Sequence, residues 1–133
     1  MIKKISHIGS LVHNLDESLK IYKRIFNLKP AAIKEAMEGK IKLAFIPVGD
    51  DEIELIQPID LSTPMGKILQ SKGQGIHHLS LVTDDIESDV ERLKKEGVEF
   101  DEEKPRIGAH GVKMIFTKPE TTDGVTIELC EEE

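Results

Sequence analysis

Cysteine, aromatic residues and long apolar runs are scarce in this chain. Its 133 residues include one cysteine and no tryptophan, and only 4% are aromatic. A lone cysteine cannot form an internal disulfide, which favours a reducing compartment. No apolar run approaches the roughly 20 residues that cross a bilayer, and the opening MIKKISH has no signal-peptide core. We therefore expect a cytoplasmic protein without membrane segments.

Basic residues are outnumbered by acidic ones. The chain has 18 lysines and arginines against 25 aspartates and glutamates, a net charge of −7, and no basic stripe. This composition argues against a nucleic-acid partner. The remaining composition, 38% hydrophobic and 32% charged, is typical of a globular protein with a heavily charged surface. The length suits one domain that buries its own core.

Two segments of the chain resemble each other. HIGSLVHNLDES begins at His7 and HLSLVTDDIESD begins at His78, an offset of 78 − 7 = 71 residues. In both copies the downstream apolar residues recur at i, i+4 and i+7, which predicts an amphipathic helix. The pairs Asn14–Glu17 and Asp84–Glu87 are typical of helix caps and predict where the two helices begin.

After each helix, apolar residues alternate with polar ones, as in β-strands. The alternating pairs are KIKLAFIPV with EIELIQPI, separated by GDD, and VKMIFTKP with VTIELCE, separated by ETTDG. Shorter strands are expected near residues 31–36 and 98–101. Between the halves, STPMGKILQSKGQG predicts a short helix that starts at Ser62 or Thr63.

Each half therefore reads strand–helix–strand–strand–strand. We predict a single domain over residues 1–133, with module one at 1–60, a connecting helix at 61–74 and module two at 75–133.

The two halves also place similar polar residues at equivalent points. His7 and His78 lie on the first strand of each half, and Glu54 and Glu128 lie within the IEL stretch of each last strand. A carboxylate between two branched apolar residues is costly to bury unless something positive meets it. Two imidazoles and two carboxylates suit a divalent transition metal. The alternative is that both glutamates face solvent while their apolar neighbours point inward; the equivalent placement in two copies favours the metal.

The sequence blocks that carry this pattern also carry a family resemblance. SHIGSLVHNLDESLKIYKRIF, IELIQPIDLSTPMGKIL, GIHHLSLVTDDIES, RIGAHGVKMIFTKP and GVTIELCE resemble the vicinal oxygen chelate superfamily, and within it the methylmalonyl-CoA epimerases. The resemblance implies an α+β fold, in which two βαβββ modules form one curved eight-stranded mixed sheet with helices on its outer face. It also implies a homodimer.

For the site, the resemblance implies one divalent transition metal, Co, Mn, Ni or Zn, held by His7, Glu54, His78 and Glu128. The implied activity is epimerisation of (2R)- and (2S)-methylmalonyl-CoA, an acyl-CoA thioester. A metal of this kind polarises the substrate carbonyl groups and stabilises the enolate intermediate. The resemblance implies that Glu128 is the base that removes the proton at C2. The identity of the second acid or base is left open. Glu54 is one candidate, although it is also an implied metal ligand, and other residues are possible.

Three further residues are predicted to contact substrate: Lys42, Gln57 and His110. Some epimerases have a glutamate at the position of Lys42, so this lysine either meets the substrate carboxylate, acts as an acid, or is a solvated strand residue. His110 lies in the glycine-flanked loop GAHG, which the resemblance places over the substrate. Rival functions are a glyoxalase I-type lactoylglutathione lyase, an Fe(II) dioxygenase, and a metal-free ligand-binding module of the same fold.

Overall fold

Eight strands and three helices make up the computed structural model, which describes residues 1–132. Their bounds are β1 Ile2–Leu11, α1 Leu15–Phe26, β2 Ala32–Ala36, β3 Ile41–Val48, β4 Asp51–Pro58, α2 Pro64–Lys72, β5 Gly75–Thr83, α3 Ile86–Lys95, β6 Arg106–Ile107, β7 Lys113–Phe116 and β8 Ile127–Glu131, with a short 3-10 helix at Pro119–Thr121. The order strand–helix–strand–strand–strand occurs twice, as predicted. Within these residues, every helix is too short or too polar to cross a membrane.

The strands belong to one mixed sheet in the order β2-β3-β4-β1-β5-β8-β7-β6. Two pairs are parallel, β1 with β4 and β5 with β8. The pairs β2–β3, β3–β4, β6–β7 and β7–β8 are antiparallel. The predicted eight-stranded mixed sheet is therefore confirmed.

The chain divides into two compact units, residues 8–77 and residues 1–7 with 78–132. In the first, Leu15 of α1 packs with Leu55 of β4 on one face of the sheet. Leu69 of α2 packs with Ile56 on the other face, because successive residues of a strand point to opposite sides. The predicted module boundaries at residues 60 and 74 stay a prediction.

In the second unit, α3 supplies the core. Ile86 and Val90 of this helix pack against Ile115 and Leu129 of the sheet. Glu128 is adjacent to Leu129 on β8 and so points to the face opposite α3. The alternation in the sequence VTIELCE thus separates a core face from a polar face, as predicted.

Helix caps follow the predicted residues with one correction. Asn14 accepts a hydrogen bond from the N–H of Glu17 at 3.1 Å and begins α1, and Thr63 accepts from the N–H of Gly66 at 3.1 Å at the start of α2. The predicted cap Asp84 of α3 is wrong, because Asp85 accepts from the N–H of Ser88 instead. The Asp84 carboxylate contacts two amines, the Met1 ammonium at 2.7 Å and Lys3 Nζ at 3.4 Å.

The strand predicted near residues 98–101 is reduced to a single bridge between Phe100 and Thr117. Backbone hydrogen bonds flank this bridge, from the N–H of Asp101 to the Phe116 carbonyl at 3.0 Å and from the N–H of Lys118 to the Glu99 carbonyl at 2.8 Å. The Asp101 side chain adds one more, because its Oδ1 accepts from the N–H of Phe116 at 3.2 Å. The second strand of this half instead forms later in the chain, at Arg106–Ile107.

Candidate functional site

The polar face of residues 1–7 and 78–132 gathers two of the predicted histidines and one predicted glutamate. His7 comes from β1, His78 from β5 and Glu128 from β8. All three are buried, with exposed fractions of 1%, 1% and 6%. Polar side chains that are buried in this way need hydrogen-bond or charge partners, and these three residues are partners of one another.

Two short contacts meet at the Nε2 atom of His7. His7 Nε2 lies 3.2 Å from His78 Nε2 and 3.1 Å from Glu128 Oε1. Two nitrogens that face each other at this distance need a proton or a cation between them. Ser6 Oγ lies 3.0 Å from His7 Nδ1, so the far side of that ring also has a partner. A hydrogen bond at the second nitrogen is what orients a metal-binding histidine.

These distances suit a shared metal ion. Two ligands that each lie about 2.1 Å from one ion, at about 90–110° from each other, are roughly 3.0–3.4 Å apart. The separations of 3.2 and 3.1 Å fall in that interval. Two imidazole nitrogens and a carboxylate oxygen are also a donor set that first-row transition metals favour. The residues present therefore fit the metal that the sequence implies.

The electrostatics of the cluster keep Glu128 ionised. Burial would raise the pKa of its carboxyl, but hydrogen bonding to His7 and Ser80 and the charges of both histidines outweigh burial and lower the pKa to about 2. Glu128 is thus a carboxylate throughout the neutral range. A carboxylate can act as a metal ligand and as a proton acceptor without first losing a proton.

Two aromatic rings enclose the histidines. The His110 ring stacks on His7, with centroids 4.7 Å apart and planes 18° from parallel. Phe116 meets His78 edge-on with centroids 5.0 Å apart. The structure therefore brings His110 next to the cluster, although its predicted contact with substrate stays a prediction.

Glycines shape the loop that carries His110. A side chain at Gly108 would place its Cβ 2.5 Å from Met114 Cγ, and Gly111 has a φ of +79°, which other residues rarely adopt. Glycine is thus required at both positions of the GAHG sequence, for space at Gly108 and for backbone conformation at Gly111. These two constrained positions flank the loop residue His110.

Glu54 belongs to the other unit. It is 5% exposed and stands on β4, in register with Gly9 of β1 and Phe45 of β3. It lies on the face opposite Leu55, which packs under α1. Glu54 is therefore a buried carboxylate rather than a solvated one, contrary to the alternative considered from the sequence.

The other two predicted substrate contacts lie near the start of α1. Gln57 Oε1 accepts a hydrogen bond from the N–H of Leu15 at 2.8 Å. Lys42, which is opposite Gln57 in the β3–β4 ladder, is partly exposed, and its Nζ lies 3.9 Å from Asp16 Oδ1. Gln57 thus satisfies a backbone group at a helix start, while the substrate roles of both residues stay predictions.

One residue of the cluster was missed. Ser80 is fully buried and donates a hydrogen bond to Glu128 Oε1 at 2.7 Å. The signal was present in the sequence, because Ser80 lies two residues after His78 and shares its face of β5. The predicted placement of Cys130 on the face of Glu128 is confirmed by its 3.4 Å separation from Ser80 Oγ.

Comparison with known proteins identifies the family. The sequence pattern of the Glyoxalase/Bleomycin resistance protein/Dioxygenase superfamily matches residues 6–116. The chain belongs to this superfamily. Among its relatives in the superfamily, the mitochondrial methylmalonyl-CoA epimerase of Dictyostelium discoideum is 33% identical over 98% of this chain and 79% of the relative. The ethylmalonyl-CoA/methylmalonyl-CoA epimerase of Cereibacter sphaeroides is 28% identical over 97% of this chain and 98% of the relative.

Solved structures of the superfamily share the whole fold. A variant of the Streptomyces coelicolor methylmalonyl-CoA epimerase, in complex with 2-nitronate-propionyl-CoA, matches with a TM-score of 0.91 and 26% identity, over 99% of this chain and 96% of that one. The predicted resemblance to the epimerases of this superfamily is thus confirmed in sequence and in fold.

Proposed function

We propose that this protein is a metal-dependent methylmalonyl-CoA epimerase. The observation that carries the proposal is the meeting of His7 Nε2 with His78 Nε2 and Glu128 Oε1, at 3.2 and 3.1 Å, in a chain related to epimerases over nearly its full length. Epimerisation requires removal of the C2 proton and its return to the opposite face. The proposed substrate is an acyl-CoA thioester, as in the related epimerases, and the proposal includes neither a nucleic-acid nor a membrane partner.

The ligand set consists of His7, His78, Glu128 and Glu54. The first three are supported by the distances above. Glu54 is supported by strand register: it is opposite Gly9 on β1, and Gly9 lies two residues after His7, so both side chains belong to the same face of their strands. A divalent transition metal, Co, Mn, Ni or Zn, would act there as a Lewis acid that offsets negative charge on the substrate oxygens.

Glu128 removes the C2 proton. Its lowered pKa keeps it ionised, as a proton acceptor must be. A Lewis acid at the substrate oxygens would make the C2 proton more acidic and so ease its transfer to a carboxylate. His110, next to His7, and Lys42 and Gln57, near the start of α1, contact the substrate.

The test is proton exchange in heavy water. Protein stripped with a chelator and reloaded with Co²⁺ or Mn²⁺ should exchange the C2 proton of methylmalonyl-CoA for deuterium and interconvert the two epimers, as followed by proton NMR. Stripped protein should not. Methylglyoxal with glutathione is the comparison substrate: isomerisation of that hemithioacetal, with no exchange on the CoA thioester, would assign the chain to the lactoylglutathione lyases instead.

The protein acts as a homodimer in the cytoplasm. The dimer is proposed from the likeness to the epimerases, and exposed apolar side chains such as Ile76 (77%) and Ile5 (48%) would gain from being covered by a second copy. The single free Cys130 is suited to a reducing compartment. Sedimentation at micromolar concentration checks the dimer, since a monomer would contradict it.

A further inference from the structure

Ser80 is a polar residue with no exposed surface at the centre of the candidate site. It stands on β5 directly opposite Glu128 in the parallel β5–β8 ladder, and its hydroxyl donates to Glu128 Oε1 at 2.7 Å. An apolar residue would fill this position without the cost of burying a hydroxyl. The distance is an ordinary one for a hydroxyl donating to an oxygen, and the charge of the acceptor makes such a bond stronger than one between neutral groups.

Two short contacts of the Glu128 carboxylate meet at one of its oxygens. Oε1 lies 2.7 Å from Ser80 Oγ and 3.1 Å from His7 Nε2. The residue keeps 6% of its surface exposed. Because Oε1 is engaged with the serine and the histidine, Oε2 is the oxygen that remains for a substrate.

We infer that Ser80 is a positioning residue, which holds Oε1 of Glu128 on the histidine side and leaves Oε2 to accept the proton from the substrate. The inference rests on the proposed function and deepens it. The terminal torsion of a glutamate is soft, with broad energy wells. Without the hydroxyl, the carboxylate could turn both oxygens toward the histidines, and the acceptor oxygen would no longer be directed at the substrate.

The test compares two substitutions of similar size. Ser80→Ala removes the hydroxyl that contacts Glu128, whereas Cys130→Ala removes a small buried group that touches Ser80 Oγ at 3.4 Å. Loss of a partner that orients a metal-binding side chain typically costs about 10- to 100-fold in activity. We expect Ser80→Ala to lower kcat for C2 deuterium exchange by about that factor with KM unchanged, and Cys130→Ala to lower it less than threefold. Ser80→Thr, which keeps the hydroxyl, should recover most of the loss if its melting temperature shows that it folds.

A second measurement does not depend on turnover. Stripped wild-type and variant proteins are titrated with Co²⁺, and the visible absorption of the bound ion reports how its ligands are arranged. Ser80→Ala should still bind one Co²⁺ but with a changed absorption band, while Cys130→Ala should give the wild-type band.

The outcomes separate the two hypotheses. An unchanged Co²⁺ band together with near wild-type exchange in Ser80→Ala, or equal losses in both alanine variants, would overturn the positioning role. If the wild-type protein shows no deuterium exchange at C2, the proposed function fails. In that case a Co²⁺ absorption band that changes only in Ser80→Ala would still support the role of Ser80 in orienting Glu128.

Discussion

The Nε2 atoms of His7 and His78 lie 3.2 Å apart, although 71 residues separate the two histidines along the chain. Each histidine lies on the first strand of one copy of the internal repeat. Two nitrogens on neighbouring strands rarely point their lone pairs at each other without a shared proton or cation. The repeat therefore explains why the chain contains the same histidine twice: each copy supplies half of a pair.

Replacement of either histidine should abolish metal binding. His7→Ala and His78→Ala each remove one nitrogen donor, and we expect each variant, after loading with Zn²⁺ and desalting, to retain less than a tenth of the metal that the wild type holds. His77→Ala is the matched control, because His77 is the neighbour of His78 and points to the other face of β5. Elemental analysis measures the metal content. Loss in His77→Ala with retention in His78→Ala would mean that the repeat alignment is off by one residue.

Much of the fold and site could be predicted from sequence because two periodic signals repeat. The alternation of apolar and polar residues along β8 predicted that Glu128 and Leu129 lie on opposite faces of the sheet. The 71-residue offset of the internal repeat predicted that His7 and His78 form a pair. What could not be predicted depends on long-range partners. Asp84 has the residue type of a cap, but it contacts the amines of Met1 and Lys3. Ser80 is a common residue type in a strand, and only the register with Glu128 gives it a role.

Glu128→Gln should separate metal binding from chemistry. Glutamine is nearly isosteric and its amide oxygen still coordinates a metal, but it cannot accept a proton near neutral pH. Loss of a general base typically costs about 10²–10⁴ in rate, so we expect at least that loss of C2 deuterium exchange with metal still bound. Lys42→Met is the comparison variant and should lose much less exchange at saturating substrate, because a residue that contacts the substrate without moving a proton affects binding more than chemistry.

Two results would contradict this assignment of the base. Near wild-type exchange by Glu128→Gln would make Glu128 a ligand only, and Glu54→Gln would be the next variant to measure. Greater damage in Lys42→Met than in Glu128→Gln would make the lysine a part of the mechanism.

Gly66→Ala should destabilise the protein even though alanine is the better helix former. Inside a helix, alanine is favoured over glycine by about 1 kcal/mol. A Cβ at this position would, however, lie 2.6 Å from the Cα of Leu61 and 2.8 Å from its carbonyl carbon and oxygen, and backbone cannot move aside as a side chain can. Overpacking of this kind costs about 1–3 kcal/mol, so we expect a net loss in the free energy of unfolding by urea. Ser71→Ala, on the exposed side of the same helix, is the control and should change stability by less than about 0.5 kcal/mol.

Asp89→Asn should lower stability at neutral pH and much less in acid. Asp89 is a buried carboxylate near the start of α3; Thr83 Oγ1 donates to it and the Met1 ammonium lies 3.2 Å away. Burial would raise the pKa of Asp89, but these partners and Arg92 together lower it below the ordinary value of 3.8. A carboxyl whose pKa is lower in the folded state stabilises the fold fully above its unfolded pKa. That contribution is lost as the pH falls below 3.8 through the folded pKa.

The difference between wild type and Asp89→Asn in the free energy of urea unfolding should thus be about 1–3 kcal/mol at pH 7, the cost of weakening hydrogen bonds to a charged group. At pH 3 the difference should shrink. Glu91→Gln is the control, because Glu91 is an exposed carboxylate on the same helix and its replacement should change stability little at either pH. A difference between Asp89→Asn and wild type that stays constant from pH 7 to pH 3 would mean that shape, not charge, is what Asp89 contributes. A difference that grows in acid would reverse the sign of the pKa shift on which the prediction depends.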